Sequence, residues 1–126
     1  MTGEASEVVT KENTAAALGS GLVAGYSTPS MIALMETASV AAIQEELSTG
    51  QSSVGTEIHI KHLAPTPIGM RIKARSELLQ IDGRQLKFKV EALDDREIIG
   101  EGVHMRAVID LERFKHRLER KKTEDG

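Results

Sequence analysis

Hydrophobic and polar positions divide the chain into one long helix followed by a run of strands. Ser27-Thr28-Pro29 is a helix start signal, with Thr28 able to cap orphan amides and Pro29 suited to the first turn. From Met31 to Ile43 no residue breaks the helix, which ends near Leu47, with Gly50 as a left-handed terminator. At 100° per residue its apolar side chains reach almost all the way round, so the pattern predicts a helix buried on most sides. Alternation then predicts strands. Ile58, Ile60 and His62 share one face of a strand from Val54 to Leu63, with Glu57, His59 and Lys61 on the other. Pro65, Pro67 and Gly69 interrupt it. A second strand begins at Met70 and continues through Leu79, and Asp82-Gly83 signals a hairpin. Leu86, Phe88, Val90 and Ala92 form the inner face of a third strand, Asp94-Asp95 marks a turn, and Ile98–Asp110 forms a fourth strand. Gly100 and Gly102 share a face of that strand with His104 and Arg106, which suggests a close backbone approach, most simply by the helix.

The segments before the helix carry weaker signals. Residues 1–7 are small, polar and acidic and are expected to be a loose tail. Val8-Val9 suggests a short strand, Asn13–Leu18 a short helix ending at Gly19, and Leu22–Ala24 another brief strand. The end of the chain, from Glu112, is mildly basic. Residues 119–126 are expected to form a second flexible tail around one domain spanning 1–126. The layout is α+β: a buried helix with an antiparallel meander that curls round it, and a second subunit needed to cover what remains.

Composition narrows the chemistry. The chain has 126 residues, enough for one domain with a real core. It has no cysteine, which removes disulfides, thiolate metal sites and a cysteine nucleophile. Aromatic residues make up 2%, so base-stacking modules are disfavoured, and a net charge of −3 offers no general attraction to nucleic acid or anionic membranes. There is no membrane-length apolar run and no signal peptide. A small, soluble, cytoplasmic protein is therefore expected.

Three residues stand out. Glu36 lies in the apolar arc of the helix, beside Ile32, Val40, Ile43 and Leu47, where a carboxylate is expensive to bury; it is either a functional group or a structural Glu bonded to a backbone amide or paired across the fold. His62 faces inward at a strand end and reads as a proton-transfer group or as a satisfied core histidine. Thr28 reads as a cap, and its hydroxyl at a helix N-terminus also suits orienting a carbonyl or nucleophile. His59 points away from His62, so the two cannot chelate one metal, and no metal site is expected. Gly19–Gly25 has the wrong spacing for a dinucleotide fingerprint.

Thr28-Pro-Ser-Met-Ile-Ala-Leu-Met-Glu36, Gly55-Thr56 opening a strand, His62 before a Pro-rich break, and Gly102-Val-His-Met-Arg106 together resemble the hot-dog-fold thioesterases of the fluoroacetyl-CoA thioesterase type. The resemblance spans roughly residues 8–118. It implies a long central helix wrapped by a curved antiparallel sheet, acyl-CoA as substrate with no separate cofactor, and an active site at the interface of a homodimer, with a tetramer also open. The catalytic roles it implies fall on Thr28, Glu36 and His62, with Glu36 as nucleophile or general base. Gly55 matches a position near the thioester carbonyl. Arg106 matches an arginine that is either structural or in contact with the CoA side. Family phenylalanines in a lid over the pocket are replaced by Leu22 within Gly19–Ala24, so fluoroacetyl specificity does not carry over. A non-catalytic acyl-CoA-binding hot-dog module is the alternative, because the fold alone does not fix an activity.

Overall fold

A computed structural model describes residues 1–123. The elements run β1 (Thr2–Val8), a 3-10 turn (Lys11–Asn13), α1 (Thr28–Ile43), a 3-10 turn (Gln44–Glu46), β2 (Gln51–His62), β3 (Arg71–Asp82), β4 (Gln85–Leu93), β5 (Ile98–Asp110) and α2 (Leu111–Thr123). The strands form one antiparallel sheet in the order β1-β3-β4-β5-β2. The helix and the β3-β4-β5 meander are as the periodicity predicts; β2, expected as the first strand of that meander, instead crosses to the far edge and pairs with β5. Among the described residues no helix is long and apolar enough to cross a membrane.

The sheet buries one face against α1. Leu86, Phe88, Val90 and Ala92 of β4 are all buried, with Ile72 and Ala74 of β3 and Ile99 of β5 beside them. They meet Met31, Leu34, Met35, Ala38, Ala42 and Ile43 of α1. The core is aliphatic apart from Phe88 and Tyr26, as the scarcity of aromatics requires. Gly83, at the β3–β4 turn, has φ +61°, the left-handed conformation a tight hairpin needs.

Residues 2–8 form an edge strand, not the loose tail that their composition suggests. β1 pairs with β3 in register from Thr2↔Glu77 to Val8↔Arg71. Gly3 faces α1 so closely that a Cβ there would run into the Ala38 carbonyl and the Ala42 backbone. Small inward residues, Gly3 and Ala5, permit this approach and for the same reason carry no hydrophobic signal. The Tyr26 hydroxyl donates to Glu7, tying β1 to the segment that leads into α1. That segment is turns and isolated bridges, Thr14↔Tyr26 and Gly25↔Pro67, in place of the expected short helix and strand. Of the expected C-terminal tail, residues 119–123 belong to α2, and 124–126 lie outside the described residues.

In the single chain α1 is less covered than its apolar circumference suggests. Pro29, Ala33, Thr37, Ala41 and Gln44 are exposed along one side, because α1 packs on β1, β3 and β4 and barely touches β2. β2 is the other edge of the sheet, and it has a partner strand, β5, on one side only. Gly100 and Gly102 do mark close approaches, to different neighbours. A Cβ at Gly100 would meet the Met31 thioether of α1, whereas one at Gly102 would meet the His59 carbonyl of β2.

Candidate active site

The candidate residues gather in two clusters. The first stands at the start of α1. Ser27, not Thr28, is the N-cap: its Oγ accepts the Ser30 amide at 3.1 Å. Thr28 is therefore released from capping, and its Oγ1 lies 2.7 Å from His62 Nδ1 at the end of β2. Nε2 of His62 is buried and has no hydrogen-bond partner. An orphaned ring nitrogen beside an open cleft is a group available to a ligand. The cleft holds about 340 Å³ and is lined by Val23, Tyr26, Thr28, His62, Leu63 and Pro65, among others. Leu22 is not part of that lining: it is 98% exposed.

The second cluster surrounds Glu36, two helical turns further on. Its carboxylate accepts from Arg106 Nη1 at 3.1 Å and stands 3.7 Å from His104 Nε2. Arg106 and His104 are buried, facing inward from β5, while the Glu36 side chain is 41% exposed. Glu36 is thus not sunk in an apolar arc as its helical neighbours imply. It sits at the border between the buried and open sides of α1, with a cation beneath it. Gly55 lies under the carboxylate: a Cβ there would stand 2.6 Å from Glu36 Oε2. A register shift between Gly55 and Glu57 leaves Thr56 without a cross-strand partner in the β2–β5 ladder, a bulge beside the carboxylate, and the Thr56 hydroxyl donates to the Met105 carbonyl at 3.2 Å.

The two clusters do not touch within one chain. Thr28 and Glu36 are eight residues apart on α1, about 12 Å along its axis, and no hydrogen bond among the described residues links the Thr28–His62 pair to the Glu36–Arg106 pair. His104 and Ser53, which complete the second cluster, were given no role by the sequence reading. The available signal was an inward His-x-Arg pair just beyond Gly100 and Gly102 on the same strand. No group of three or more potential metal ligands occurs among the described residues.

Burial lowers the pKa of both inward histidines below the ordinary 6.5. For His62 the nearby Ala64 backbone opposes the shift. For His104 the Glu57 carbonyl and the Glu36 charge oppose it, and Arg106 reinforces it. Below pH 6.5 the unfolded chain therefore takes up protons that the folded chain refuses. Stability is expected to be fully present above pH 6.5 and to fall as the pH drops toward the lowered folded values. Thermal unfolding followed between about pH 8 and pH 5 checks this; a midpoint that rises on acidification would contradict it.

Residues 9–112 match the family described as fluoroacetyl-CoA-specific thioesterase. The fluoroacetyl-CoA thioesterase of Streptantibioticus cattleyicolor is 42% identical over 101 residues, which are 80% of this chain and 72% of that protein. A crystal structure of a mutant fluoroacetyl-CoA-specific thioesterase in complex with fluoroacetate and CoA superimposes with a TM-score of 0.85 at 35% identity, covering 90% of this chain and 96% of that one. A hot-dog-like protein from Thermanaerovibrio acidaminovorans shares the fold, with a TM-score of 0.87 at 19% identity over 96% of this chain and 90% of its own.

Proposed function

Because the chain belongs to the fluoroacetyl-CoA-specific thioesterase family and is a thioester hydrolase, we propose that it cleaves acyl-CoA to a carboxylate and CoA in a site assembled from two copies of the chain. The observation that carries the second half of this reading is the separation of the clusters. One chain holds the carboxylate, its arginine and Gly55 in one place, and the hydroxyl–imidazole pair about 12 Å away. A two-fold axis beside α1 that sets two helices antiparallel brings the Glu36 cluster of one copy towards the Thr28–His62 cluster of the other. The open edge of β2 and the exposed apolar side of α1, which includes Pro29, Ala33 and Ala41, are the surfaces such a dimer would cover.

Each group has a part in the chemistry. Glu36 supplies the attacking oxygen, either its own Oε1, forming a mixed anhydride that water then hydrolyses, or that of a water it deprotonates, while Arg106 holds Oε2. Backbone amides at the Gly55 bulge stabilise the oxyanion that develops on the thioester carbonyl. His62, whose Nδ1 meets Thr28 and whose buried Nε2 has no partner among the described residues, hands a proton to the departing thiolate and regains one from the water that is consumed. Thr28 fixes the ring. CoA enters as part of the substrate, and no further cofactor is needed for hydrolysis in the cytoplasm. Val23 lines the cleft where Leu22 was expected to, and neither supplies the phenylalanine lid on which fluoroacetyl specificity would rest.

Purified protein given a panel of acyl-CoAs, from short aliphatic to aryl, is expected to release free thiol from at least one of them at a rate far above the enzyme-free control. Tight binding of the esters by calorimetry with no thiol released would instead identify a non-catalytic acyl-CoA-binding module.

A further inference from the structure

The neighbours of His104 settle its protonation state. Nδ1 lies 2.9 Å from the Glu57 carbonyl oxygen, which can only accept, so Nδ1 carries the hydrogen. Nε2 lies 3.1 Å from Arg106 Nη1, which can only donate, so Nε2 presents its lone pair. Both contacts are satisfied only by the neutral ring with its proton on Nδ1.

That assignment accounts for both Nη1 hydrogens of Arg106. Its Nε donates to Ser53 Oγ at 2.9 Å and its Nη2 to the Ser53 carbonyl at 3.0 Å. Nη1 has two hydrogens and two acceptors, Glu36 Oε2 and His104 Nε2, both at 3.1 Å. Arg106 is buried, so a hydrogen left without an acceptor there carries a desolvation cost. Ser53 pins one side of the guanidinium and His104 the other. Of the two Nη1 hydrogens, the one His104 does not take is aimed at Oε2, which leaves Oε1 for the substrate.

We propose that His104 is a positioning residue for hydrolysis: by accepting one Nη1 hydrogen of Arg106 it turns the other onto Glu36 and fixes the direction in which the carboxylate points. The Glu57 carbonyl that orients the imidazole belongs to the same bulge as Gly55. A single line of contacts therefore runs from the backbone expected to hold the thioester to the carboxylate expected to attack it. The inference rests on the reading that Glu36 is the attacking group. The competing account is that His104 only fills space beside Phe88, whose ring centroid is 6.2 Å away.

Two substitutions separate these accounts. His104→Gln places an amide oxygen near the position of Nε2 and keeps an acceptor for Arg106. His104→Asn places its amide near Nδ1 and leaves Arg106 without one. We expect kcat to fall about 10- to 100-fold in the Asn variant and to stay within about threefold of wild type in the Gln variant, with similar unfolding midpoints. In an Arg106→Gln background, His104→Asn is expected to add no further loss, since it would act through a group already removed. Equal losses in Asn and Gln that track their stabilities, or losses that add to that of Arg106→Gln, would overturn the proposal. Nitrogen-15 shifts of the wild-type histidines at neutral pH give a reading independent of any variant: a hydrogen on Nε2 of His104 would also overturn it. If Glu36→Gln leaves turnover intact, the underlying functional reading fails; if it abolishes turnover while His104→Asn does not impair it, the positioning role alone fails.

Discussion

Replacing Glu36 with Gln is expected to lower acyl-CoA turnover by about a thousandfold while leaving the chain folded. Gln preserves the shape above Gly55 and still offers an oxygen to Arg106 Nη1, so the constellation persists. What it removes is the negative charge, and with it both carboxylate routes, direct attack and deprotonation of water. The substitution also has a price in stability, since it strips a buried guanidinium of its counter-ion. Breaking a fully buried pair costs about 3–5 kcal/mol. Glu36 is 41% exposed, and solvent screening brings the expected loss to about 1–2 kcal/mol. Thiol release in saturating acyl-CoA, read beside a thermal melt, separates the two effects. A variant that melts near wild type and turns over at the wild-type rate would remove Glu36 from the mechanism.

Much of the frame could be read in the sequence, because its signals are strong and local. The Thr28–Ile43 helix has start chemistry and no breaker, β4 alternates cleanly, and the bounds Ile98 and Asp110 of β5 follow from its pattern. What was not legible depends on contacts across the fold. Composition could not reveal β1, since its inward residues are small precisely because α1 comes so close. Local sequence also could not separate Ser27 from Thr28 as the cap. Only the position of His62, thirty-four residues away, shows which hydroxyl is engaged elsewhere. Glu36 looked buried on a helical wheel because a wheel shows what lies round the helix and not which side the sheet covers. The three residues singled out were found by type and spacing, yet their division into two clusters, and the buried His104 and Ser53 behind one of them, required the register of β2 against β5.

His62→Ala carries the second large effect. It removes the imidazole whose Nδ1 meets Thr28 and whose buried Nε2 has no partner among the described residues, so the leaving thiolate loses its proton donor and turnover is expected to fall about 100- to 1,000-fold. His62 is only half-buried and makes one side-chain hydrogen bond, so the fold should tolerate its loss. Thr28→Ala should fall in the same direction by less, because it frees the ring without deleting it. A His62→Ala protein at wild-type turnover would leave the cleft without a chemical role.

The assembly of the site from two chains is the central claim, and mixing two inactive variants tests it most directly. Chains carrying Glu36→Gln and chains carrying His62→Ala are co-expressed with different tags, and the mixed dimers are isolated. If Glu36 of one chain works with His62 of the other, each mixed dimer holds one site in which both groups are native and one in which both are altered. About half of wild-type turnover per dimer should return, although each parent protein is inactive. If the groups act within one chain, every site in the mixture carries a defect. Turnover no higher than that of the parents, in dimers shown to contain both chains, would contradict the account.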